Sequence, residues 1–171
     1  VKVYAQEPNV VGQANTYAAN STTTYTSDLP HYPEQDVQAS ADTERSKSYS
    51  KSFSVDNGDK VNLNNQYGSI TIKTWDKKEV KVDVDIKAFS SSASEVQKLI
   101  DAVNIDATKN GDVVSIKTNL GDGSGRWGRN VKNGVTTWRR EVKINYVVYM
   151  PSVNPLTILQ QYGNVELGNF S

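Results

Sequence analysis

The residue types best suited to chemistry gather between residues 121 and 140, where Gly121, Gly123, Gly125 and Gly128 are interleaved with Arg126, Trp127, Arg129, Lys132, Trp138, Arg139 and Arg140. An indole face stacks on sugars, bases and other rings, and a guanidinium joins such stacks or forks onto phosphate and carboxylate. Arg126, Trp127, Arg129, Trp138 and Arg139 are therefore the candidate contacts for a partner protein or a glycan. The alternative is a long hairpin loop whose tryptophans fold back onto the domain and whose arginines are merely solvated. Gly123, Gly125 and Gly128 also spell the dinucleotide fingerprint. That motif needs a parallel strand before it, a helix after it and an acidic residue about 20 positions on, whereas a hairpin strand follows here. Asp122 and Ser124 hint at a calcium loop, but the alternating carboxylates and closing Glu are missing.

Catalytic groups are sparse. His31 is the single histidine, between Pro30 and Tyr32 in a polar stretch, so histidine pairs cannot bind a metal and a solvated surface role is expected. Cysteine is absent, which removes disulfides, thiolate metal sites and a thiol nucleophile. Asp83 and Asp85 alternate on one strand face and could serve as the carboxylate pair of a polysaccharide-active enzyme. Flanking Lys81 and Lys87 point instead to an ion-paired solvent face. No catalytic residue, metal site or cofactor is expected. Lys plus Arg equals Asp plus Glu at 19 each, so no whole-molecule field draws the chain to nucleic acid. Nor does any segment approach the roughly 20 apolar residues of a membrane helix.

The elements that must position these residues show themselves through a repeat. Val61, Leu63, Gln66, Tyr67, Gly68, Ile70, Ile72 and Trp75 return as Leu156, Ile158, Gln161, Tyr162, Gly163, Val165, Leu167 and Phe170, each pair 95 residues apart. A fixed offset is the mark of stacked units, and this unit reads as a strand, a turn and a strand. Glycine is expected to supply positive φ at the corners Tyr67-Gly68 and Tyr162-Gly163, with aromatic rings closing the edges. Phe53 and Val55, then Val80, Val82, Val84, Ile86 and Ala88, alternate as half-buried strands. So do Ile105 and Ala107, Val114 and Ile116 around an Asn110-Gly111-Asp112 turn, and Val142, Ile144, Tyr146 and Val148 up to Pro151. One amphipathic helix over 92–103 follows from a capping box, Ser92 to Glu95, with Val96, Leu99, Ile100 and Val103 at helical spacing. The expected fold is mainly β: a β-solenoid of stacked strands over 51–171 with one short helix. Ahead of it, residues 1–50 form an irregular polar arm, disordered unless docked, with Tyr17, Tyr25 and Tyr32 as its anchors. Val3 and Ala5 before Gln6 suit the end of a secretory signal, or else simply begin the polar tail.

The run Gln66-Tyr67-Gly68-Ser69-Ile70-Thr71-Ile72-Lys73-Thr74-Trp75-Asp76, the valine alternation, the helix and then Tyr146-Val147-Val148-Tyr149-Met150-Pro151 together resemble the bacterial putative adhesin family. The resemblance spans roughly 51–171. It implies a β-solenoid body, an exported location in the periplasm, at the outer membrane or at the cell surface, and no established catalytic residues. Such domains continue through further Gly-cornered rungs, whereas this sequence reaches Ser171 just after the first. The strand over 156–167 is thus expected either to belong to a fragment or to take a strand from another chain. The function expected is a non-enzymatic envelope or surface scaffold that binds other envelope proteins or glycans. The alternatives are an envelope sensor and, further off, a polysaccharide-active enzyme.

Overall fold

The alternating apolar runs become strands whose inward residues form one core. A computed structural model of the chain describes residues 2–6, 42–121 and 127–170. Among them are nine strands and a helix: β1 (Lys2–Gln6), β2 (Thr43–Ser54), β3 (Lys60–Thr74), β4 (Glu79–Ser90), α1 (Ala93–Ala102), β5 (Val103–Asn110), β6 (Val113–Leu120), β7 (Gly128–Lys132), β8 (Val135–Met150) and β9 (Leu156–Leu167). The fold is mainly β with one short helix, as expected, and the sheet curls until it is nearly closed. Val80, Val82, Val84, Ile86 and Ala88 of β4 are all buried, as are Val142, Ile144, Tyr146 and Val148 of β8.

β3 organises the sheet. On one edge it pairs in parallel with β9 from Val61↔Leu156 to Ile72↔Leu167, so the 95-residue offset of the repeat is itself the strand register. β9 in turn pairs in parallel with β1, from Lys2↔Thr157 to Gln6↔Gln161. The other edge of β3 is shared. Its first residues pair with β6, Lys60↔Val113 to Asn64↔Lys117, and its last with β8, Ile70↔Tyr146 to Thr74↔Met150. The sheet therefore forks into two wings, β6–β5 and β8–β4–β2.

Side chains fill the gap in the fork. Asn65 Nδ2 donates to the Ile144 carbonyl at 2.9 Å, Thr118 Oγ1 donates to Asn65 Oδ1 at 2.8 Å and shares a 2.8 Å bond with the Tyr146 hydroxyl. The Ser69 amide donates to Asn145 Oδ1 at 3.1 Å. These replace the ladder bonds β3 loses between its two partners, as buried polar groups must. Burial pushes the Tyr146 phenol up to about 12.

Where the outer edges of the wings meet, lysines bridge them. Lys47 and Lys51 of β2 donate to the carbonyls of Val103 and Ala107 in β5, the latter at 2.7 Å, and Lys109 of β5 donates to the Ser54 carbonyl at 2.8 Å. Lys109 also meets the Asp59 carboxylate at 2.9 Å. α1 lies across β4 and β2 with Val96, Leu99 and Ile100 buried.

Two local expectations are corrected. The strand-turn-strand unit is a continuous strand with a bend, and the left-handed residues are the tyrosines, Tyr67 at φ 58° and Tyr162 at φ 53°; of the two glycines expected to supply positive φ, Gly68 does so at 157° and Gly163 does not. The glycines answer a different demand: a Cβ on Gly68 would collide with the Ile144 carbonyl, and one on Gly163 with the Gly68 carbonyl. At α1 the capping box does not form. Ser92 Oγ meets Ser94 Oγ, while Glu95 accepts from Ser90 Oγ at 2.9 Å. β1 takes in Val3 and Ala5, and β2 begins at Thr43.

Two outcomes follow. Gly163→Ala, which changes contact alone, should cost about 3 kcal/mol in urea unfolding. Gly111→Ala, left-handed at φ 58° with open space around it, should cost only about 1 kcal/mol. The second concerns pH. A phenol whose folded pKa is raised favours the fold while it stays neutral, so this contribution is whole below pH 10 and is lost as pH climbs toward about 12. Denaturation midpoints should fall over that window, and less steeply in Tyr146→Phe.

Candidate functional site

Trp127, Arg129 and Trp138 come together in one place. β7 and the start of β8 form a hairpin closed by Asn133 and Gly134, both left-handed at φ 51° and 77°, the backbone that a two-residue hairpin turn requires. Asn130 stands opposite Trp138 across this ladder, Arg129 opposite Arg139 and Gly128 opposite Arg140. A register shift between Asn130 and Val131 twists the ribbon. The result is an open cleft of about 500 Å³ lined by Trp127, Gly128, Arg129, Asn130 and Trp138.

One wall of the cleft is anchored in the tyrosine corners. The half-buried Trp127 ring stacks on Tyr67 at 5.8 Å and 20°, and Tyr67 stacks on Tyr162 at 5.1 Å and 7°. The Arg140 guanidinium lies 5.0 Å from the Trp127 ring centre. Guanidinium, indole and two phenols thus form a continuous row over the bends of β3 and β9. Burial raises the pKa of Tyr67, and the neighbouring Tyr162 adds to it.

Arg139 is not part of the cleft. Strand alternation turns it away from Trp138, onto the Phe89 ring at 3.8 Å, where it pairs with Glu141 at 2.7 Å and Asp42 at 3.2 Å. Burial opposes its charge, but the two carboxylates outweigh that and hold it charged. Arg126, Tyr17, Tyr25, Tyr32 and His31 lie outside the described residues. The sequence reading missed Asn130, which no spacing distinguished, and the link between the tyrosine corners and Trp127, which is visible only in three dimensions.

The strand-face carboxylates look different. Asp83 accepts from Ser50 Oγ at 2.6 Å and pairs with Lys81 at 2.9 Å. Burial would raise its pKa, but the hydroxyl and the ammonium prevail and keep it below the ordinary carboxylate range. An acid held ionised does not donate protons near neutrality. Among the described residues, no cluster of His, Cys, Asp and Glu is placed to hold a metal ion. No helix there is long and apolar enough to cross a membrane.

Neither a protein-family model nor a curated protein matches the sequence. Among solved structures, the chain is similar to a putative adhesin from Bacteroides fragilis NCTC 9343, at 16% identity and a TM-score of 0.34 over 72% of this chain and 44% of that one. It is similar also to a putative cell adhesion protein from Clostridium sporogenes ATCC 15579, at 16% identity and a TM-score of 0.34 over 68% and 48%. A putative adhesin from Parabacteroides distasonis ATCC 8503 shares 15% identity at a TM-score of 0.25 over 59% and 32%. The chain spans less than half the length of each.

If Tyr67 supports the cleft wall, Tyr67→Ala should increase iodide quenching of tryptophan emission and lower stability by about 2 kcal/mol. Tyr67→Phe should leave both near their starting values.

Proposed function

We propose that this chain is a non-enzymatic, exported bacterial protein of the envelope or cell surface, whose stacked β body presents the Trp127–Trp138 cleft to glycans. The reading is carried by the cleft itself: Trp127, Arg129, Asn130 and Trp138 border one open concavity on a strand-borne hairpin. The Trp138 indole would take the apolar C–H face of a sugar ring, Trp127, packed between Tyr67 and Arg140, would form the wall beside it, and Arg129 and Asn130 would offer donors for hydroxyl or carboxylate groups. Placement on paired strands keeps these groups positioned without ligand. Asp83, hydrogen-bonded by Ser50 and ion-paired with Lys81, is kept from serving as the proton donor that a polysaccharide-active enzyme needs, which supports a binding role.

The body fits a β-solenoid reading. At one level of the stack, Lys2, Thr157, Asn62 and Ser115 line up across four parallel strands, which is how coils of a winding β body repeat. Of the polar stretch 1–50, the part between β1 and β2 with Tyr17, Tyr25 and Tyr32 would serve as an arm that docks on this body or on a neighbouring envelope protein. Arg126, next to the cleft in sequence, and Arg139, behind it, would act as partner contacts only from its rim or its back.

Titration with acidic oligosaccharides, followed by tryptophan fluorescence, tests the proposal. Trp138→Ala and Arg129→Ala should each weaken binding about tenfold, equivalent to roughly 1.4 kcal/mol. Equal binding by both variants, or no binding by the unaltered chain, would refute the glycan reading.

A further inference from the structure

Two groups pack on the Trp127 indole, Tyr67 from the bend of β3 and the Arg140 guanidinium from β8. Tyr67 is placed by strand register. Arg140 is a long, rotamer-rich side chain, and keeping its guanidinium on one ring costs conformational entropy that another contact must offset. Ser90, Arg140 and Gly128 stand side by side across β4, β8 and β7. Gly128 has no side chain to stand between Arg140 and the residue before it, Trp127.

The contact that restrains Arg140 comes from α1. Glu95 Oε1 lies 3.4 Å from Arg140 Nε, while Glu95 Oε2 accepts from Ser90 Oγ at 2.9 Å. Ser90 is buried, and its hydroxyl also accepts the Ser92 amide at 3.3 Å. The carboxylate is therefore tied through one oxygen to a fixed point and turns the other toward the guanidinium. Its backbone is fixed as well, because Val96, Leu99 and Ile100 anchor the helix in the core. The Arg140 side chain is only 13% exposed, so water screens the pair weakly on that side. An acid in the first turn of a helix ordinarily serves the helix terminus; this one is spent on a strand of the cleft hairpin.

We propose that Glu95 is a positioning residue for the cleft: through Arg140 it keeps the Trp127 wall in place for a glycan to meet. Glu95 lines no part of the cleft and acts only through the guanidinium. Without its charge the guanidinium is held less firmly on the indole, and a wall that the ligand itself must order binds that ligand more weakly. The effect on affinity rests on the glycan reading, whereas the effect on Trp127 exists without any ligand.

Fluorine NMR of the full chain labelled with 5-fluorotryptophan separates the two, since Trp75, Trp127 and Trp138 each report their own surroundings. Glu95→Gln keeps an oxygen for Ser90 and removes the charge. In ligand-free protein it should move or broaden the Trp127 resonance and leave that of Trp75 in place. It should also weaken binding of an oligogalacturonate probe about threefold. Asp101→Asn, on the same helix, should change neither readout, and Glu95→Gln should add nothing in an Arg140→Ala background. The proposal is overturned by an unmoved Trp127 resonance, by an equal change in Asp101→Asn, by an effect that persists without Arg140, or by unchanged affinity where the unaltered chain binds the probe. A moved resonance in a chain that does not bind the probe counts against the glycan reading alone and supports the hold of Glu95 on Trp127.

Discussion

At the corner where Ile144, Gly68 and Gly163 meet, three adjacent parallel strands approach more closely than any Cβ allows, and the rest of the body is aligned by that approach. The bend that permits it requires a left-handed residue, and here the residue is a tyrosine at both levels. Holding a non-glycine residue there costs about 1–2 kcal/mol. A ring stack contributes about 0.5–1.5 kcal/mol and a side-chain hydrogen bond about 1 kcal/mol, so corner contacts roughly offset corner strain and no more. Net stabilisation must come from the apolar rows on either side: Val61 with Leu156, Leu63 with Ile158, and Ile70 and Ile72 beneath Val165 and Leu167. Each fully buried aliphatic side chain contributes about 1.5–3 kcal/mol. The corner therefore sets register, and the rows supply the stability that makes its strain tolerable.

Because β3 shares one edge between β6 and β8, the sheet has two wings and two loose margins, and both problems are answered with polar side chains. Inside the fork, Asn65, Thr118, Tyr146 and Asn145 take up the bonding groups that a single continuous neighbour would have satisfied. At the margins, Lys47 and Lys51 stand four residues apart on the same face of β2 and reach carbonyls of β5 that are also four apart. A lysine on an edge strand discourages pairing with foreign strands, and here its ammonium also spans the seam. Lys109 does this from the other side, where its hydrogen bond to Asp59 holds that carboxyl below the ordinary range.

The parts of this arrangement that were legible in the sequence are those set by one strand and its periodicity. The 95-residue offset became the β3–β9 register, and Asn110-Gly111-Asp112 became the turn between β5 and β6. What was not legible depends on a second or third strand. A glycine after a tyrosine reads as the residue that turns, because the carbonyl it must accommodate belongs to Ile144, 76 positions away. Ser92 and Glu95 fit a capping box locally, but Glu95 is drawn to Ser90 and Arg140 instead. β2 alternates serine and lysine with few apolar residues because its backbone bonds to β4, rather than side-chain burial, hold it as a strand. Arg139 shows the reverse: simple alternation from Trp138 would have turned it away from the cleft had residues 135–140 been read as strand.

Trp127 belongs to both the corner and the cleft, and this shared ring links scaffold to site. Its indole rests on Tyr67, whose left-handed backbone is fixed by the same approach that fixes Gly68. The cleft wall is consequently positioned by the register of β3 and β9. A wall held in this way loses little conformational freedom when a ligand stacks against it, which is the condition under which a shallow, open surface can bind at all.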